Sequence, residues 1–338
     1  MAEQQIDKDS FDAALVPGFR EAVARKYADL ARAHKRPLQT NDGTEVDERL
    51  VSEHRPCPLC KESEDTPALV DKEGVELVSC HNCGFYYSRK VLSDDFDRKI
   101  YSNSEFQRQY LELKNDDHYH DLERKKSTYI ISVASRYAGH NGRMLEIGSG
   151  AGRLLQAAAE IGLTGIGIEP NPVFAQLSQT EGFEILEGFF PEVLLEKEYG
   201  SFQIVAMLDV LEHAPDPIGF LKMATRYLSK DGVVAVQVPN YDSLLVRLEG
   251  KDSSVVCRGH WNYFTPHSLG VTARKAGLEV KFIETIISEI DRVQSFKWVD
   301  IERCCLETCG ESPPRSFNTA WLHSHGMGYK VLAYLSYP

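Results

Sequence analysis

Cys57, Cys60, Cys80 and Cys83 are spaced C-x2-C-x19-C-x2-C. Two such turns can bring four thiolates to the corners of a tetrahedron, the arrangement zinc takes from sulfur ligands. Pro58 stiffens the first turn, and Gly84 follows the second, where a chain often needs a positive φ. Apolar VELV precedes the second pair and FYY follows it, supplying the short strands of a zinc ribbon. Four protein ligands leave no open coordination position, so the zinc, one per chain, is expected to be structural. Cys257, Cys304, Cys305 and Cys309 lack such turns and read as buried or partly exposed thiols, although the last three precede His323 and His325.

A second constellation occupies residues 144–155, MLEIGSGAGRLL, an apolar strand that runs into the glycine turn Gly148-Ser149-Gly150. With Gly152 the spacing is G-x-G-x-G; a dinucleotide turn reads G-x-G-x-x-G, and its third position here is Arg153. The next strand, TGIGIEP, ends at Glu169-Pro170, nineteen residues beyond Gly150. A carboxylate there can accept hydrogen bonds from both hydroxyls of a ribose, which NAD and S-adenosylmethionine share. Glu146, just ahead of the turn, suits a ligand bearing sulfonium and ammonium charges and would repel a pyrophosphate.

A third set comprises His213, in the loop after VAMLDV, and His260 and Tyr263, in GHWNYFT. An imidazole near neutral pKa can take the proton of an acceptor hydroxyl, and Tyr263 could orient that acceptor. His118 and His120 read instead as exposed histidines on a charged helix.

These residues need a scaffold. Alanine-rich helical spacing over 10–36 is broken in its first turn by Pro17-Gly18, and TNDGTE is a polar linker. Residues 94–140 read as mostly helical. From 143 short apolar runs alternate with helical segments, which predicts an α/β fold with a parallel sheet covered on both faces. The last strands are expected at 278–285 and 329–336. The expected division is a helical arm (1–50), a zinc ribbon (51–92), a helical lid (93–140) and a Rossmann-like domain (141–338). That domain includes an acceptor-covering segment at 241–270 and an insert at 286–328.

The bulk numbers exclude several classes. With 338 residues, 42% of them apolar, the chain can bury a core, and its formal net charge of −12 argues against nucleic acid as a partner. No apolar run approaches a membrane span, and the N-terminus lacks a secretory pattern, so a cytoplasmic location is expected.

LEIGSGAG resembles motif I of the class I S-adenosylmethionine-dependent methyltransferases, and GIEPNP resembles the acidic end of their second strand. FQIVAMLDVLEHAPDPIGFLKMATRYLSKDGVVAVQVPN resembles their fourth strand, the following helix and the fifth strand. The resemblance covers about residues 128–285 and implies a seven-stranded sheet that binds S-adenosylmethionine. It places Glu146, Gly148, Ser149 and Gly150 near the cofactor's amino-acid portion and Glu169 and Pro170 at the ribose. Leu208 and Asp209 would lie over the cofactor, Glu187-Gly188-Phe189 near the adenine, and Tyr101 and Tyr110 in a lid able to touch it. The ribbon, together with His260, Tyr263, Phe264, Thr265, Ser268 and Leu269, is similar to a bacterial subgroup that methylates sugars, glycans and other small metabolites. The expectation is methyl transfer to a small-molecule hydroxyl, with His260, His213 and Tyr263 as catalytic candidates. Carbon, nitrogen or sulfur acceptors, a dehydrogenase, and a metabolite-sensing ribbon protein without turnover are the alternatives. The insert departs from the family, and could form a substrate cap or a homodimer contact.

Overall fold

The computed structural model describes residues 7–34, 55–70, 76–91, 111–113, 116–193, 196–257 and 259–338. Seven strands form the main sheet: β4 (Arg143–Ile147), β5 (Thr164–Glu169), β6 (Glu184–Glu187), β7 (Phe202–Leu208), β8 (Leu228–Pro239), β10 (Glu279–Ile286) and β11 (Lys330–Ser336). Their order is β10-β11-β8-β7-β4-β5-β6, and β11 alone runs antiparallel to its neighbours. The order reverses between β4 and β7, whose register pairs Ile147 with Met207. Open sheets of this kind bind ligands at such a switch point, outside the carboxyl ends of the strands.

Successive strand residues point to opposite faces, so a sheet covered on both sides must be apolar at both parities. Ile204 and Ala206 of β7 join one core with Met144, and Val205 and Met207 join the other with Leu145 and Ile147. The first core is closed by α2 (Asp117–Ala138) and α3 (Arg153–Glu160) through Ile130, Ala134, Leu154 and Ala158. The second is closed by α5 (Pro217–Thr225) and α7 (Pro266–Lys275) through Leu221, Ala224, Leu269 and Ala273. Burying one such leucine stabilises the fold by roughly 2 kcal/mol. Helix α2 lies in the expected lid, yet it packs as a layer of the domain; Tyr101 and Tyr110 lie outside the described residues. Between β5 and β6 lies α4 (Pro172–Thr180), whose N-cap Asn171 accepts from the Val173 and Phe174 amides.

At the N-terminus α1 (Phe19–His34) begins after the Pro17-Gly18 break, and Phe19 and Val23 are buried. Asp12 Oδ2 accepts the Ser288 amide at 2.6 Å, and Arg20 pairs with Glu289 and Asp291. The arm thereby docks on the insert. That insert folds as α8 (Ile290–Val293), α9 (Trp298–Cys309) and α10 (Thr319–Ser324), packed on α6 (Leu244–Glu249) around Leu244, Leu245, Ile301 and Leu322. Cys257, Cys304 and Cys305 are buried, and Cys309 is half-buried.

The ribbon comprises β1 (Asp65–Val70), β2 (Glu76–Cys80) and β3 (Tyr86–Ser88). A fourth strand, β9 (Asn262–Tyr263), joins it from the expected acceptor-covering segment, with Tyr86 opposite Tyr263. Arg55 strengthens the join by donating to the carbonyls of Ser88, Pro215 and Trp261. The ribbon and the main domain are therefore stitched together by backbone.

Candidate active site

Gly148 leaves β4 with φ 74° and Gly150 follows with φ 51°, a region that strains other residues. A Cβ on Gly148 would come within 2.6 Å of Val210 Cγ2, so this glycine lets the turn close on the end of β7. A Cβ on Gly150 would meet nothing within 4 Å, so the backbone here faces open space. Glu169 closes β5 and braces the turn: Oε2 accepts the Gly150 amide at 2.7 Å, and Oε1 accepts the Asn171 amide at 2.8 Å. Burial pushes its carboxyl up to about 7, against the pull of those two amides. Pro170 follows, half-buried.

Glu146 is 4% exposed. Burial raises its carboxyl well above the usual range and Glu169 adds repulsion, while the Leu155 amide and Lys126 oppose them. Glu146 Oε2 and Ser149 Oγ are both buried without a hydrogen-bond partner. A bare polar atom at this depth costs about 1–3 kcal/mol. The ammonium of S-adenosylmethionine is a donor of the right charge for Glu146, so this donor and acceptor set fits the cofactor. Lys126, on α2 and paired with Glu123 at 2.8 Å, adds a buried cation suited to the cofactor's carboxylate.

Leu208 ends β7 and is half-buried; Asp209 follows with φ 56°. Asp209 accepts from Lys330 Nζ at 2.9 Å and from Gln237 Nε2 at 3.1 Å. Burial would raise this carboxyl, but Lys330, Lys126 and Gln237 together outweigh it and hold it at about 2. The turn Leu211–His213 then presents Glu212 and His213.

The structure brings His213 and His260 together, with ring centroids 4.8 Å apart and the rings edge to face. His213 Nδ1 donates to the Gly259 carbonyl at 2.7 Å, and His260 Nδ1 donates to the Val255 carbonyl at 2.8 Å. A carbonyl accepts only, so Nδ1 carries the proton in each ring and Nε2 the lone pair. Burial lowers both imidazoles; for His260, His213 and Lys330 add to it and bring it to about 3. Glu212 is 1% exposed, and neither carboxylate oxygen has a hydrogen-bond partner. Its carboxyl is pushed well up by burial and by Asp209, and Oε1 stands 4.0 Å from His213 Nε2.

Tyr263 is placed differently. Its ring is buried against Tyr241, and its hydroxyl donates to the Cys257 carbonyl at 3.4 Å. This geometry makes it a packing residue of the ribbon junction. Glu212, Lys330, Lys126 and Gln237 had no assigned role from sequence. Glu212 sits in the quoted EH pair, but nothing in the spacing says that its oxygens are bare. Lys330 reaches Asp209 across 121 residues of chain, which no local pattern signals.

In the ribbon, Cys57 and Cys83 Sγ lie 3.6 Å apart, and Cys60 and Cys80 Sγ 3.4 Å apart. All four Sγ atoms fall within 4.8 Å of one another. A disulfide would need about 2.05 Å, whereas four ligands at ~2.3 Å from one zinc lie ~3.8 Å apart. The two turns match: Lys61 (φ 65°) donates its amide to the Cys57 carbonyl as Gly84 (φ 68°) does to that of Cys80. This donor set fits zinc.

The methyltransferase-domain family model matches residues 118–281. A ubiquinone biosynthesis O-methyltransferase of Pseudomonas entomophila (strain L48) is 30% identical over 179 residues, covering 48% of this chain and 75% of that enzyme. One of the same name from Pseudomonas aeruginosa (strain LESB58) is 31% identical over 153 residues, covering 42% of this chain and 66% of that enzyme. This chain thus spans about two thirds of the length of the latter. A solved SAM-dependent methyltransferase from Thermotoga maritima aligns at TM-score 0.45 and 21% identity, covering 69% of this chain and 98% of that one. The chain belongs to the class I S-adenosylmethionine-dependent methyltransferases.

Proposed function

We propose that the protein transfers the methyl group of S-adenosylmethionine to a hydroxyl of a small molecule, a sugar or a secondary metabolite. One observation carries this: the buried carboxylates lie on β4 and β5, and the adjacent β7 leads to His213, whose ring meets that of His260, with Val210 against Gly148. The cofactor supplies a methyl group activated by its sulfonium. Glu169 would hold the ribose, while Glu146 and Lys126 would meet the ammonium and carboxylate. The acceptor hydroxyl would lie at the edge formed by His213, His260 and Glu212. An oxygen acceptor is supported by the relatives' O-methyltransferase names. We further propose that Cys57, Cys60, Cys80 and Cys83 hold one structural zinc, with no chemistry of its own.

The test is turnover of S-adenosylmethionine against a panel of sugar, phenol, amine and thiol acceptors. Product from hydroxyl compounds alone is expected. Product only from amines or thiols would contradict the acceptor class, and tight S-adenosylhomocysteine binding without any turnover would point to sensing.

A further inference from the structure

The bare carboxylate of Glu212 is not explained by cofactor binding. Both its oxygens are buried without a partner, although the fold holds it beside two imidazoles. One ligand atom each from Glu212, His213 and His260 lies within 4.8 Å of the others. Donors at ~2.1 Å from a common cation stand about 3.0–4.2 Å apart, so small side-chain rotations close the set. Each imidazole is oriented by an Nδ1–H bond to a carbonyl, which makes Nε2 the ligand atom, and His213 Nε2 stands 4.0 Å from Glu212 Oε1. Metal-ligating histidines are held in this way.

We propose that Glu212, His213 and His260 form a second metal site, for a divalent cation of the manganese, iron or cobalt class. Two nitrogens and one carboxylate oxygen suit these ions better than magnesium or calcium, which take oxygen. The remaining coordination positions face the acceptor edge, so the cation would hold the acceptor hydroxyl there. This role rests on the acceptor placement proposed above; the site itself does not. The nearby charges permit a cation: Lys330 is positive but is paired with Asp209 at 2.9 Å. A divalent ion would give the buried oxygens of Glu212 a partner.

Manganese is the probe, because it avoids thiolates and leaves the ribbon cysteines alone. The full-length protein is titrated with Mn2+, and the six-line spectrum of the free ion is followed by electron paramagnetic resonance. One Mn2+ per chain is expected. Glu212→Gln and His260→Ala should each weaken it at least ~100-fold, the upper end of what losing even an outer partner costs. Both variants should bind S-adenosylhomocysteine within about threefold of the parent, which shows that they fold. Cys60→Ser should leave the Mn2+ count at one. Wild-type binding no tighter than that of the two variants would overturn the site. Methyl transfer that persists in chelator with no Mn2+ bound would sink the cation's role at the acceptor and leave the proposed function standing. One Mn2+ bound without S-adenosylhomocysteine binding would do the reverse.

Discussion

Glu169 braces the turn from the end of β5. It accepts two backbone amides that shape the glycine turn, and the proposed function gives it the ribose as well. Glu169→Ala should weaken S-adenosylhomocysteine binding at least tenfold, about 1.4 kcal/mol, measured by calorimetry. A pH effect follows from burial, which lifts this carboxyl from 4.5 to about 7. Between those values the folded, cofactor-free chain keeps a proton that the unfolded chain has released. The stability it contributes is therefore full below about pH 4.5 and is lost as pH rises through 7, on the order of 3 kcal/mol. The parent minus Glu169→Gln difference in unfolding free energy should fall over that window, and a flat difference would contradict it. Glu169 was legible in the sequence because it ends a strand at a fixed distance from the glycines. The bare oxygens of Glu212 were not, since burial and missing partners are properties of the fold.

Among the elements, β9 links the two metal proposals to the fold. Two residues of the acceptor-covering segment pair with the ribbon edge, and Ser88 donates its amide to the Trp261 carbonyl at 2.9 Å. His260 immediately precedes this pairing, and Ser88 Oγ donates to its carbonyl at 3.3 Å. Removing the zinc proposed for the ribbon should therefore loosen β9 and displace His260. Hydrogen exchange at Trp261–Tyr263 should accelerate at least tenfold in Cys80→Ser or chelated protein, while exchange in β4 and β5 stays unchanged. Unaltered exchange at Trp261–Tyr263 would mean that the junction stands without the metal. The cysteine spacing made the ribbon readable, and alternating apolar runs made the main strands readable. The β3–β9 pairing joins residues about 175 positions apart, and a two-residue strand leaves no periodic signal. For the same reason Tyr263 looked like an acceptor contact; its neighbours in sequence suggested chemistry, and its neighbours in space make it packing.

At the scale of the whole molecule the N-terminal arm, the insert and the domain form one packed unit. Asp12, 1% exposed, accepts the Ser288 amide and caps the turn below it at Ala14. Asp12→Ala would strand that buried amide and should cost about 2 kcal/mol in chemical denaturation, with S-adenosylhomocysteine affinity unchanged. The docking of arm on insert was hidden from the sequence because each segment shows only its own amphipathic pattern, never its partner. No helix among the described residues is long and apolar enough to cross a membrane. The sheet order, with its reversal between β4 and β7, is what places Glu146, Glu169, Asp209 and the imidazoles along one edge. The most direct measurement is a crystal structure of the full chain with S-adenosylhomocysteine. The adenosine sugar should lie on Glu169, with the sulfur turned toward His213 and His260. A nucleoside bound elsewhere, or a sulfur walled off from the two imidazoles, would contradict the account.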